Sequence, residues 1–156
     1  MKAMLRWTAC ASLLCVVAGA RPAIAVDVRD TTFLHDPALG KGRLVFSYAD
    51  DLWTAKSDGS DVKRLTSHPG NEGLPFISPD GKLVAFTGTY DGNPDVYVVP
   101  IDGGEPKRLT WHPGPDLVRG FTPTGDVLFA SPRGLFTARA LQFFTVPVAG
   151  GAPVAL

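Results

Sequence analysis

Residues 63–70 read KRLTSHPG and residues 107–114 read KRLTWHPG, one octet written twice with a single change, 44 positions apart. The likeness runs well past the octets. DDLWTAKSDGSDVKRLT (50–66) aligns with PDVYVVPIDGGEPKRLT (94–110) and again with LQFFTVPVAGGAPVAL (141–156), while LPFISPDGKLVAF (74–86) aligns with VRGFTPTGDVLF (118–129). Spacings of 44 and about 47 residues thus cover most of the chain. A chain with this period is built from units that bury their faces against one another, so its fold must stack them.

Each copy has the grammar of antiparallel strands. LVAFTG, DVYVVPI and PKRLT are rich in β-branched and aromatic residues. Between them lie SPDGK, DGN and DGGE, in which Asp or Asn polarises the turn and Gly takes the positive φ that side chains disfavour. Four short strands per unit of this length describe a β-propeller blade. The expected fold is all-β: a partial propeller over residues 26–156, with about three four-stranded antiparallel blades near 31–66, 74–110 and 117–156. KRLT is then an outer strand and HPG the turn toward the next blade. Trp53, Tyr97 and Phe144 occupy one equivalent strand position and are expected to be buried between or within blades.

Residues 1–25 read as a secretory signal peptide. Lys2 and Arg6 precede an uncharged apolar run from Trp7 to Ala20, and Ala23-Ile24-Ala25 puts small residues before a cut at Val26. Secretion across the inner membrane to the periplasm follows as the expectation. Both cysteines, Cys10 and Cys15, leave with this segment, so the mature chain forms no disulfide and no thiolate metal site. Removing Lys2, Arg6 and Arg21 from 15 basic and 15 acidic residues leaves 12 against 15, a net charge of −3. That balance favours neither nucleic acid nor an anionic membrane as partner.

No residue is assigned a catalytic, cofactor-binding or metal-binding role. His68 and His112 recur before Pro-Gly, but no Cys, Glu or third His is spaced to complete a tetrahedral site, and a local turn hydrogen bond accounts for them. Asp91, Asn93, Asp95 and Asp102 mimic the start and twelfth place of a calcium loop, yet Val96 stands where that loop needs Gly and Pro94 interrupts it. Asp50 and Asp51, adjacent on a strand, point to opposite faces. No G-x-S-x-G motif is present.

LVFSYADDLWTAKSDGSDVKRLTSHPG, SPDGKLVAFTGTYDGNPDVYVVPIDGGEPKRLTWHPG and FTVPVAGGAPVAL together resemble the N-terminal WD-like propeller of secreted bacterial tricorn protease homologues. The resemblance runs from about Thr32 onward and implies a six-bladed propeller followed by a second propeller, a PDZ-like module and a C-terminal serine peptidase core. No counterpart of those later modules lies in this sequence, so no catalytic residue of the family carries over. The chain is then expected to be a non-catalytic fragment that scaffolds and channels oligopeptides, partnered by the remaining blades and catalytic domains of a longer protein. A TolB-like protein-binding propeller and the propeller cap of an α/β-hydrolase peptidase remain as alternatives. In a half-ring, Val127, Phe129, Phe144 and Val146 of the third blade are expected to lose part of their burial.

Overall fold

The computed structural model describes residues 34–135 and 140–156. They form three four-stranded antiparallel sheets and, among the described residues, no helix. The first sheet holds β1 (His35–Gly40), β2 (Arg43–Tyr48), β3 (Asp51–Lys56) and β4 (Lys63–Arg64). The second holds β5 (Glu72–Ile77), β6 (Leu83–Gly88), β7 (Asp95–Pro100) and β8 (Lys107–Arg108). The third holds β9 (Leu117–Phe121), β10 (Val127–Ser131), β11 (Gln142–Val146) and β12 (Val154–Ala155). Strands pair in chain order within each sheet, the meander of a propeller blade. The signal-peptide expectation for residues 1–25 lies outside the described residues.

Turn chemistry sets the register. In SPDGK the Ser78 hydroxyl donates to Asp80 Oδ1 at 2.6 Å, Gly81 N–H donates to Ser78 O at 2.9 Å, and Gly81 sits at φ +77°. That αL position suits Gly because it has no Cβ to clash. That turn sets β5 on β6, Ile77 opposite Val84 and Phe76 opposite Ala85; β6 and β7, joined through Asp91-Gly92-Asn93, pair residue for residue, Phe86 opposite Tyr97 and Val84 opposite Val99.

Alternation then gives the middle sheet two buried faces. Val84, Phe86, Tyr97 and Val99 meet Val45, Leu52 and Leu65 of the first sheet. Ala85, Val96, Val98 and Leu109 meet Val118, Val127, Phe129, Phe144 and Val146 of the third. Phe86 stacks on Tyr97 with centroids 5.6 Å apart, and Phe129 on Phe144 at 5.7 Å, so the aromatic pair repeats from blade to blade.

Two expectations are corrected by this packing. Trp53 is half-buried rather than buried, because with Phe46 it lies on the face of the first sheet turned away from the second. Its indole N–H is satisfied by Tyr48 O at 3.1 Å. Val127, Phe129, Phe144 and Val146 lose no burial, since they point at the second sheet. The open face is the opposite one, carried by Leu128, Phe143 and Thr145.

Candidate functional site at the first blade junction

The repeated octet makes a junction. Asp51 opens β3 and pairs with Arg64 at 2.6 Å; Asp95 opens β7 and pairs with Arg108 at 2.6 Å. Two residues past each Arg, a Thr hydroxyl caps the neighbouring strand: Thr66 Oγ1 accepts from Leu52 N–H at 2.9 Å and Thr110 Oγ1 from Val96 N–H at 3.0 Å. The intervening Leu65 and Leu109 are buried. Each letter of RLT therefore has a packing or hydrogen-bonding duty.

HPG carries the chain across to the next blade. His68 Nδ1 accepts from Gly70 N–H at 3.0 Å, and His112 Nδ1 from Gly114 N–H at 3.0 Å, the local bond expected of both turns. Gly70 is required by close approach, because a Cβ there would stand 2.3 Å from Thr89 O. The next inner strand is tied back to the blade just left: Glu72 N–H donates to Asp50 O at 3.0 Å, and Asp116 N–H to Pro94 O at 2.8 Å.

Glu72 and Asp116 occupy the same place in successive units, and both are buried carboxylates. Glu72 Oε2 accepts from Leu52 N–H at 3.1 Å and from the Thr66 hydroxyl, while Tyr90 Oη donates to Oε1. Burial first, against those hydrogen bonds, pushes the Glu72 carboxyl above its usual range. Burial and then the Glu72 contact raise the Tyr90 phenol, so the phenol keeps its proton. At the second junction Arg133 Nη2 bonds Asp116 Oδ2, so a guanidinium stands where the first junction has a phenol.

Tyr90 also lines a cleft of about 430 Å³ between the outer edges of the first two blades, with Leu65, His68, Tyr97, Glu105 and Arg108 among its other walls. The His68 ring stacks on Tyr90 at 3.7 Å, and Tyr90 leans on Tyr97 with centroids 4.4 Å apart. Arg108 is held by Asp91 and Asp95 at 2.6 Å each and donates to Thr110 O at 2.7 Å. His68 makes no hydrogen bond to a hydroxyl among the described residues. What this arrangement offers is a binding surface with aromatic walls.

The other residues weighed from the sequence fall into structural roles. Asp91 and Asp95 share Arg108; Asn93 Nδ2 donates to His112 O at 2.8 Å; Asp102 pairs with Arg43 at 3.3 Å. His68 and His112 sit at successive junctions and are not brought together as ligands. Glu72, Asp116, Tyr90 and Arg133 escaped notice, although one signal was available: each carboxylate stands four residues past the His of its HPG turn.

Residues 31–156 match the family described as the tricorn protease N-terminal β-propeller domain. Tricorn protease homolog 1 of Streptomyces coelicolor is 41% identical over 112 residues, covering 70% of this chain and 10% of that protein. The chain thus spans about a tenth of that curated relative's length. Among solved structures, the tricorn protease superposes with a TM-score of 0.68 at 23% identity, over 80% of this chain and 13% of that one. TolB from Acinetobacter baumannii gives 0.66 at 26% identity, over 79% of this chain and 32% of its own.

Proposed function

Because the chain belongs to the tricorn protease N-terminal β-propeller family, we propose that it is the non-catalytic propeller part of a tricorn-like periplasmic serine peptidase, scaffolding and channelling oligopeptides toward a catalytic core. The observation that carries this reading is the outer face of the third sheet. Val96 and Leu109 of the second sheet, 0% and 1% exposed, repeat as Phe143 and Leu156, which are 51% and 73% exposed. Positions that are buried wherever a next blade covers them are open here, and Leu128 joins them half-buried. The face is shaped for a further sheet of the same kind. In the proposed protein that sheet is the next blade, and the inner strands β1, β5 and β9 form part of a channel wall.

Peptide hydrolysis is the discriminating assay. The chain alone should cleave neither oligopeptides nor esters, and the coding sequence after codon 156 should continue into further blade repeats and a serine peptidase core. Turnover abolished by a single Ser or His substitution within this chain would overturn the proposal. The likeness to TolB favours a second reading, a protein-recruiting propeller without chemistry. A downstream sequence that closes the ring and adds no peptidase core would select it.

A further inference from the structure

We infer that two copies of this chain assemble head to tail into a closed ring, the open face of the third sheet in each copy seating on the open face of the first sheet in the other. The inference does not rest on the peptidase reading: where further blades follow in one chain, the next blade takes the same place. It rests on the two interfaces already inside the molecule, which serve as templates for a third.

Each sheet has a head face, toward the preceding sheet, and a tail face, toward the following one; at both internal junctions a head packs on a tail. Strand register identifies the equivalent positions. Leu39 opposes Leu44 as Ile77 opposes Val84 and Phe121 opposes Val127. Ile77 and Phe121 pack into the cores between sheets, whereas Leu39 is 71% exposed. Trp53 is half-buried at the place where Tyr97 and Phe144 are buried. The tail of the third sheet is open in the same way. Leu156 N–H donates to Phe143 O as Leu109 N–H donates to Val96 O, yet the first pair stands exposed and the second is buried. Val154 takes the place of Lys107, which makes the open tail more apolar than the covered one. Among the described sheets, the first therefore lacks a tail to sit on and the third lacks a head to cover it.

The backbone tie has its counterpart too. At the internal junctions Glu72 N–H donates to Asp50 O and Asp116 N–H to Pro94 O. Register places Leu34 where Glu72 stands and Leu141 where Asp50 stands. Both are exposed, 40% and 46%. In the assembled pair Leu34 N–H of one copy reaches Leu141 O of the other, and two apolar side chains meet where the other junctions bury a carboxylate. A head-to-tail contact repeats until the rotation closes it. Closed propellers hold roughly four to eight blades. Three sheets from each of two copies make six, inside that range, while a third copy would make nine.

Sedimentation and light scattering of the full chain should give a species of twice the chain mass that dissociates on dilution. Leu39→Glu on the head and Phe143→Lys on the tail each bring a charge into an apolar contact, and each should weaken association at least about a hundredfold. Both side chains are exposed in the single copy, so dichroism and melts of dilute, dissociated protein should match the parent. Were Phe143→Lys to unfold, Leu156→Lys on the same face would replace it. Mixing the two variants is the decisive arm. Each keeps the face that the other has lost, and the remaining junction sets the introduced Glu against the introduced Lys, so the mixture should recover the two-copy species. A monomeric parent, assemblies that grow beyond two copies, a dimer that either variant leaves intact, or a mixture that stays monomeric overturns the inference. None of these outcomes touches the peptidase reading, which hydrolysis and the coding sequence decide.

Discussion

Replacing Arg133 by Met tests the energetic reading of the blade junctions most directly. Asp116 is 0% exposed, its Oδ1 has no hydrogen-bond partner, and Arg133 supplies the contact to its Oδ2. Removing one member of a buried pair strands the other charge in a medium that solvates it poorly, which costs about 3–5 kcal/mol. Arg133 also lies over the Phe129 and Phe144 rings at 5.1 and 5.2 Å, so Met keeps the stem's packing while deleting the charge. In a domain of this size each kcal/mol moves Tm by roughly 3–4 °C, which predicts a fall of about 9–20 °C. Thermal and urea melts of the full chain read it. Adding Asp116→Asn should restore more than half of the loss, because a neutral amide tolerates burial that a carboxylate does not. A loss below about 1 kcal/mol, the scale of an exposed ion pair, would refute the reasoning, as would a double variant no more stable than Arg133→Met.

Tyr97→Ala opens a cavity between the first two blades and should cost about 3–5 kcal/mol, whereas Phe143→Ala on the open face should shift stability by less than about 0.5 kcal/mol; urea midpoints compare the two. Gly70→Ala drives a Cβ to 2.3 Å from Thr89 O and should destabilise by about 1–3 kcal/mol in the same melts. Glu72 carries a pH signature. Its carboxyl is raised in the folded chain above the ordinary 4.5, so its stabilising contribution is complete below that value and is lost as pH rises through the folded value. Stability measured from pH 4 upward should therefore decline more steeply in the parent than in Glu72→Gln, and parallel profiles would contradict the assignment.

The blade plan was legible because it is written in positions that repeat. An Asp at the head of the third strand, Arg-Leu-Thr on the fourth and a Gly in each turn act within one blade, so their spacing in sequence is their spacing in space. Tyr90 and Glu72 act between blades, and nothing in the local pattern of either marks the other. The face of the third blade was misjudged for a related reason. Successive strand residues alternate sides, so Phe144 and Phe143 differ by one place in sequence and by a whole sheet thickness in environment: one is packed on the second blade and the other is open. Composition identifies both as core residues; only strand pairing says which core each belongs to.

The two junctions use one backbone and different electrostatics, and this difference assigns them different sensitivities. The tie is the same in both: an inner-strand N–H reaches back to the preceding blade, and an acid at its head is gripped by the following one. At the second junction a carboxylate meets a guanidinium. At the first a carboxyl meets a phenol that keeps its proton, beside Asp51, whose charge opposes ionisation of Glu72. Protonating Glu72 relieves the buried charge and leaves an O–H to share with Thr66. Mild acid should therefore tighten the first junction, so proteolysis at that boundary should slow as pH falls in the parent and change less in Glu72→Gln.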